Sequence, residues 1–205
     1  MTETPEWPDS QSATNLLDIL LIFERLKSVE RQNPLSSDNR RENTAEHSWS
    51  VALAVLLFQP LASEELDIGR ALALAVTHDL PEAFVGDTFV YGSQAESRAG
   101  RESNAMDLFA ADTASDDPRR LLADCWREYE SANTPESRFV LAVDVTLPIF
   151  MNSRNIGASS WKRHGVNAEA VRSRVRMIES WAPRLAELAY ESIEIGVRQG
   201  ALHDP

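Results

Sequence analysis

Two histidines and two aspartates are the side chains whose types and spacing could do chemistry in this chain. They are His47, the adjacent pair His78 and Asp79 at the end of an apolar stretch, and Asp144 inside a second apolar segment. Imidazole and carboxylate ligands together suit a first-row divalent ion such as Mn, Fe, Co or Zn, and Mg is also accepted. Because each residue lies on or beside a helix that should face the core, we expect one divalent metal site. A metal held in this way indicates hydrolysis, first of all of a phosphate ester.

Each of these residues also has an ordinary explanation when it is taken alone. A histidine is favoured at a helix C-terminus by the helix dipole, which would account for His78, and His47 could be a hydrogen-bonded core histidine. Asp144 would be costly to bury without a cation or hydrogen-bond donors, unless it faces solvent or pairs with an arginine such as Arg138. The combination of all four residues favours the metal site.

Two acidic residues follow the His78–Asp79 pair closely enough to take part in the same chemistry. Glu82 would project near the pair if one helical turn persists beyond Pro81. A carboxyl group at that place suits general acid/base catalysis. Asp87 comes after a turn glycine. The ordinary alternatives are that Glu82 is a solvated glutamate and that Asp87 is a turn residue.

Apolar periodicity predicts that helices carry these residues, and no alternating strand pattern or internal repeat is found. Residues 31–41 and 83–98 are predicted as irregular, Asn43 or Thr44 with Glu46 resembles a capping box, and Ser63 is the expected cap of the helix that leads to His78. We predict an all-α chain with a loose arm over 1–13 and one domain over 14–200, of which 31–152 holds the metal site and 160–200 adds C-terminal helices. The expected helices cover about 16–26, 44–58, 64–78, 100–112, 118–131, 135–151, 167–181 and 184–199.

Composition narrows the class of protein. The chain has 205 residues and a net charge of −12, which argues against binding a nucleic acid polymer or an anionic membrane. No apolar run approaches the roughly 20 residues of a membrane span, and the first residues lack the pattern of a signal peptide. The single cysteine, Cys125, excludes an intrachain disulfide and suits a reducing cytoplasm, where we expect the protein to be.

Three local strings extend the metal pattern and carry a family resemblance. With the distant Asp144 they resemble the HD superfamily of metal-dependent phosphohydrolases and, within it, the 5′-deoxynucleotidase branch, over about residues 14–152. The resemblance implies a single helical HD domain with a mononuclear metal site. The strings are Arg31-Gln32-Asn33-Pro34-Leu35, Glu42-Asn43-Thr44-Ala45-Glu46-His47-Ser48, and His78-Asp79-Leu80-Pro81-Glu82-Ala83-Phe84-Val85-Gly86-Asp87.

This resemblance also implies roles for single residues. Glu82 would be the general acid/base, Asp87 would orient water or substrate, and Thr88 would contact the substrate. Arg31 would bind the phosphate, for which a planar guanidinium is well shaped; its ordinary alternative is a surface salt bridge with Glu30 or Asp38. The four residues that would bind one divalent ion are His47, His78, Asp79 and Asp144.

Two departures from the branch concern sugar and base recognition. Gln32 stands where a stacking aromatic residue is found in bacterial members, and the segment Thr88–Gly92 lacks the common proline. The absence of histidines between Asp79 and Asp144 argues against a dinuclear site and for phosphomonoester hydrolysis.

Two further segments have open interpretations. Trp161–Gly165 could border the pocket or hold an ordinary packed tryptophan. Val171–Arg176 is expected to be an amphipathic helix, for which a subunit interface is one location.

The expected function is therefore a 5′-nucleotidase that acts on (deoxy)nucleoside monophosphates with one Mn, Co, Mg, Fe or Zn ion. The resemblance suggests a homodimer. Two alternatives within the enzymes are a phosphohydrolase of nucleoside triphosphates and one for an unusual biosynthetic nucleotide. The alternatives of another class are a non-catalytic nucleotide-binding regulator and a purely structural helical protein.

Overall fold

Helices form nearly all the regular structure of the computed structural model, which describes residues 10–35, 40–92, 95–111, 113–114 and 117–204. The predicted all-α class is confirmed. Short 3₁₀ turns occur at Arg25–Ser28, Gln59–Leu61 and Ala95–Ser97. The helices are α1 Ser10–Glu24, α2 Thr44–Phe58, α3 Ile68–Thr77, α4 Glu82–Val85, α5 Arg98–Phe109, α6 Pro118–Ser131, α7 Pro135–Arg154, α8 Ser160–His164, α9 Ala168–Ile178 and α10 Pro183–Arg198.

A small antiparallel sheet lies where the sequence predicted only a loop. Strand β1, Glu30–Pro34, pairs with β2, Arg41–Asn43, and the register joins Glu30 to Asn43 and Pro34 to Arg41. The loop prediction was wrong for these residues because the strands are short and polar and carry no alternating apolar pattern. Strand β1 packs against α7 and α8, which places its side chains beside the core of the bundle.

Helix starts show where local chemistry was predicted correctly and where it was not. The capping box of α2 is confirmed, since Asn43 Oδ1 accepts from the Glu46 amide at 3.0 Å while Glu46 Oε2 accepts from the Asn43 amide at 3.0 Å. The cap of α3 is Asp67 and not Ser63. The Asp67 carboxylate accepts from Arg70 N, and its own amide donates to Glu136 on α7, so a contact between distant segments fixes this helix start.

The N-terminal region differs from its prediction in part. Residues 1–9 of the predicted arm lie outside the described residues. Helix α1 begins at Ser10, earlier than the expected start near Thr14. Residues 10–14 therefore lie within the helix.

The core is organised around α7. This helix packs against α2, α3, α6, α9 and α10, and its buried side chains include Phe139, Val140 and Val143. A smaller apolar cluster includes Leu26 and Met106 and lies under α1, α4 and α5. Within the described residues, no helix is both long enough and apolar enough to cross a membrane.

Candidate metal centre

Three of the predicted ligands come together from three separate elements. His47 lies in the first turn of α2, His78 directly follows α3, and Asp144 lies in the middle of α7. One ligand atom from each of these side chains lies within 4.8 Å of the others. His47 Nε2 is 2.8 Å from Asp144 Oδ1, and His78 Nε2 is 3.7 Å from the same oxygen.

The hydrogen bonds of both histidines leave Nε2 turned toward this cluster. His78 Nδ1 lies 2.8 Å from the carbonyl oxygen of Ala75. A carbonyl only accepts, so Nδ1 carries a proton, and the buried Nε2 faces the carboxylates of Asp79 and Asp144. His47 Nδ1 lies 3.3 Å from Glu42 Oε2, which suits an Nδ1–H donor. In both histidines a carbonyl or carboxylate fixes Nδ1 while Nε2 points at the acidic groups of the cluster. Metal-binding histidines are commonly oriented in this way through their other ring nitrogen, so the donor set fits a divalent ion.

Asp144 is ionised and fully engaged. Burial would raise the pKa of this carboxyl group, but hydrogen bonds and positive charge from His47 and His78 hold it well below its usual range. Its second oxygen, Oδ2, accepts a hydrogen bond of 2.8 Å from Tyr129. The alternative pairing with Arg138 is excluded, because Arg138 donates to Glu64 instead.

Asp79 lies beside the three-residue cluster. Its Oδ2 is 3.2 Å from His78 Nε2 and 3.9 Å from His47 Nε2, and it accepts a 2.6 Å hydrogen bond from Arg31 Nη1. Burial would raise the pKa of Asp79, but His78 and Arg31 lower it, so the carboxylate is ionised. Its position beside His47 and His78 suits a fourth ligand, a role that stays a prediction.

Arg31 is not on the surface, which sets aside its ordinary alternative. Its side chain is only 14% exposed and contacts Asp79 and, at 3.5 Å, Glu82 Oε1. Glu30 faces Arg41 at 3.6 Å, and Asp38 lies outside the described residues. Strand β1 thus presents a buried guanidinium to the carboxylates of the candidate centre.

Glu82 occupies the position expected of it. The turn predicted beyond Pro81 is present as α4, whose first residue is Glu82. Thr44 Oγ1 donates a 2.6 Å hydrogen bond to Glu82 Oε2. Burial, helped by the negative charge of Asp79, raises the pKa of Glu82 to about 8, so this carboxyl group holds a proton at neutral pH.

Asp87 and Thr88 lie on the wall of the cleft that leads to the centre. Asp87 is half-buried; burial raises its pKa, and the charge of Arg31 opposes that rise. Thr88 is buried, and its Oγ1 accepts a 2.7 Å hydrogen bond from Arg101, so its hydroxyl is engaged by the protein. Both residues border the cleft, while their predicted substrate contacts remain predictions.

The sequence did not single out the groups that orient the ligands. Glu42 and Thr44 lie within the string that carries His47, and only their closeness to it could have suggested a role. Tyr129 offered no such indication, because its contact with Asp144 depends on how α6 packs against α7.

Asn152 organises the other wall of the cleft. Its Oδ1 accepts from Ser159 Oγ at 2.8 Å and from the Ser160 amide at 2.7 Å, while its Nδ2 donates to Asn33 Oδ1 at 2.8 Å. This network ties β1 to α7 and to the start of α8. Both expectations for Trp161 hold, since its side chain is buried and also borders the cleft.

Comparisons with known proteins agree with this geometry. A family model described as HD domain matches residues 23–185. A 5′-deoxynucleotidase HDDC2 of Bos taurus is 29% identical over 136 residues, which are 65% of this chain and 64% of that protein. A 5′-deoxynucleotidase hdd1 of Schizosaccharomyces pombe is 28% identical over 145 residues, or 66% of this chain and 70% of that protein. The match therefore spans less than two thirds of the cattle protein.

A solved structure extends the similarity to almost the whole chain. It is described as a predicted metal-dependent phosphohydrolase from Magnetospirillum magnetotacticum and is 32% identical. The alignment has a TM-score of 0.83 and covers 96% of this chain and 100% of the other.

Proposed function

Because the chain belongs to the HD domain family, we propose that it is a metal-dependent 5′-nucleotidase that converts (deoxy)nucleoside 5′-monophosphates into nucleoside and phosphate. The observation that carries the proposal is the buried cluster of His47, His78 and Asp144 at the cleft, with Arg31 and Glu82 beside it. The names of the cattle and yeast relatives support the same reaction, and the description of the bacterial structure supports metal-dependent phosphohydrolysis.

His47, His78 and Asp144 would hold one divalent ion, with Asp79 as the fourth ligand. A bound divalent cation supplies Lewis-acid polarisation of the phosphoryl group and makes nearby water more acidic. Glu42 and the Ala75 carbonyl keep the two imidazoles oriented, and Tyr129 holds the second oxygen of Asp144. Mn, Co, Mg, Fe and Zn are all compatible with this mixed donor set.

Arg31 would bind the phosphate of the substrate. Its guanidinium now bridges the carboxyl groups of Asp79 and Glu82 and can offer further N–H donors to phosphoryl oxygens. Its Nε is buried without a hydrogen bond. Fixed positive charge at this place would stabilise the negative charge that spreads over those oxygens during transfer.

Glu82 would supply the proton to the leaving 5′-oxygen. Its raised pKa keeps the proton on the carboxyl group at neutral pH, and Thr44 fixes the orientation of that group. Asp87, on the adjacent wall, would orient the water or the substrate, and Thr88 would help to place the sugar.

The test is phosphate release from a panel of nucleoside mono-, di- and triphosphates. Metal-stripped protein would be assayed with each ion in turn, beside the Asp79→Asn variant. We expect metal-dependent release from monophosphates only, and weak metal binding with no turnover in the variant. Release from triphosphates instead would favour the triphosphohydrolase alternative, and nucleotide that binds with metal but is recovered unchanged would favour the regulator.

We also propose that the protein is a homodimer of the cytoplasm. The single, buried Cys125 is free, which suits a reducing compartment. The exposed leucines of α1 offer an apolar surface for a second copy.

A further inference from the structure

We propose that Arg174 of α9 determines base specificity by recognising a carbonyl oxygen of the nucleobase, so that 6-oxopurines and 4-oxopyrimidines are preferred to their amino counterparts. The inference rests on the proposed function and concerns the cleft wall away from the metal ligands. Arg174 lines the same cleft as Arg31 and Asp144. Arg31 lies on β1 and Asp144 on α7, whereas Arg174 lies on α9, which carries none of the predicted ligands.

The charge environment separates Arg174 from the other arginines of its helix. Arg172 pairs with Asp204 and Glu194, and Arg176 pairs with Glu169. Arg174 makes no salt bridge and no hydrogen bond to any residue that the structure describes, although the chain carries 32 acidic residues. A half-buried guanidinium in a cleft has lost part of its hydration, so a ligand that supplies acceptors would gain from meeting it.

Aromatic rings beside Arg174 provide a surface for a planar base. Phe89 and Tyr91 line the cleft with their ring centres 5.4 Å apart, and the His164 ring lies 4.5 Å from Phe89. Arg174 is near enough to Tyr91 for its charge to oppose the rise in the pKa of that phenol that burial causes. His164 is held in turn by Gln32, whose Oε1 lies 2.9 Å from His164 Nε2. Stacking on such rings is tolerant of base identity, so it would place a base without selecting it.

Selection would come from Arg174, because a guanidinium offers N–H donors and no acceptor. Guanine presents O6 and N7 as adjacent acceptors, and uracil presents O4. Adenine and cytosine carry an amino group at the corresponding position, which would face the guanidinium with a donor against a donor. The expected order is therefore dGMP above dAMP and dUMP above dCMP.

The experiment measures kcat and KM for these four nucleotides and for 2-deoxyribose 5-phosphate, which lacks a base. We expect Arg174→Ala to lower kcat/KM for dGMP and dUMP by about 10-fold or more, mainly through KM, as a lost base contact would. The same variant should leave dAMP and dCMP within about 2-fold and deoxyribose 5-phosphate unchanged. Arg176→Ala removes an exposed arginine from the same helix and should match the parent protein on all five substrates.

Arg174→Gln provides a second variant that keeps a polar side chain with both a donor and an acceptor. It should reduce the ratio of oxo to amino substrates without loss of folding, checked by thermal melting. Equal losses on all five substrates, including the baseless one, would show a structural role and overturn the inference. An unchanged ratio of kcat/KM between oxo and amino substrates in both variants would overturn the inference as well. In either case, hydrolysis of the nucleotides by the parent protein would leave the proposed function intact. A parent protein that hydrolyses none of the five compounds would overturn both.

Discussion

At the scale of single residues, Glu82 combines burial, a protonated carboxyl group and a fixed orientation. It is 3% exposed, and its carboxyl group lies between Thr44 and Arg31. None of the three metal-cluster residues depends on it for a hydrogen bond. Its contribution to turnover can therefore be separated from metal binding.

We predict that Glu82→Ala keeps the metal but lowers kcat by about 100-fold or more, the usual scale for an acid/base group. Elemental analysis measures the metal content, and steady-state kinetics on the best monophosphate measure kcat. Glu65→Ala, which removes an exposed glutamate far along the loop before α3, is the matched control and should leave both values unchanged. Normal turnover by Glu82→Ala would show that another group delivers the proton.

Glu102 of α5 is a buried acid that the proposed chemistry does not use. Burial is the main cause that raises its pKa to about 7, nearby Glu130 adds to the rise, and Arg98 at 3.6 Å opposes it. Since the native state then binds a proton more tightly than the unfolded chain, the free energy of unfolding falls as pH rises from about 4.5 through about 7.

We predict that Glu102→Gln removes this loss. The difference in unfolding free energy between pH 5 and pH 8 should shrink in the variant by about 1–3 kcal/mol relative to the parent chain. Urea unfolding of metal-stripped protein at the two pH values measures it. An identical pH dependence in both proteins would mean that Glu102 ionises normally.

At the scale of elements, the approach of α10 to α8 depends on a glycine. A Cβ built on Gly196 would lie 2.7 Å from Trp161 Cζ3, and Trp161 is itself fully buried among core residues. The tryptophan cannot move aside easily, because α8 is anchored to Asn152 through the amide of Ser160. Small size is what this position requires.

We predict that Gly196→Ala lowers the free energy of unfolding by about 1–3 kcal/mol through overpacking. Gly100→Ala is the control, because Gly100 lies in the first turn of α5 and a Cβ there meets nothing within 4 Å. That substitution should not lower stability, and its gain should stay below the roughly 0.5–1 kcal/mol that alanine gives over glycine in the middle of a helix. Thermal melting of both variants decides; equal stability of the two would contradict the packing explanation.

The elements also show what a sequence pattern can and cannot predict. The helices that carry His47 and Asp144 were predicted from apolar periodicity and, for α2, from a capping box. Each of these signals is contained in a short stretch of sequence. The pairing of β1 with β2 and the choice of Asp67 as a cap depend on contacts with distant segments, which periodicity does not record. For the same reason Tyr129 was missed, although the residue it supports was predicted.

At the scale of the whole molecule, α1 leaves an apolar surface that no other described segment covers. Leu17, Leu20 and Leu21 are 61%, 65% and 60% exposed. Large apolar side chains grouped on one helix are a common mark of an association surface. This surface is where the proposed homodimer would form.

We predict that Leu20→Glu combined with Leu21→Glu converts a dimer into a monomer, because charges would be buried without partners at the interface. Analytical ultracentrifugation measures the mass. Leu121→Glu, which changes an equally exposed leucine on α6, should remain dimeric. A parent protein that sediments as a monomer would refute the proposed homodimer, and a double variant that stays dimeric would move the interface elsewhere.

The three residues of the metal cluster come from α2, from the turn after α3 and from α7, and 97 positions separate His47 from Asp144. An unfolded chain has no means of holding these groups together, so an ion that binds the cluster binds the native state almost exclusively. Binding and folding then become thermodynamically linked, and an ion present at about 100 times its dissociation constant adds about 2.7 kcal/mol to the free energy of unfolding. The conformational stability of the whole molecule thereby becomes a function of free metal concentration, which makes the cation a folding ligand as well as a cofactor.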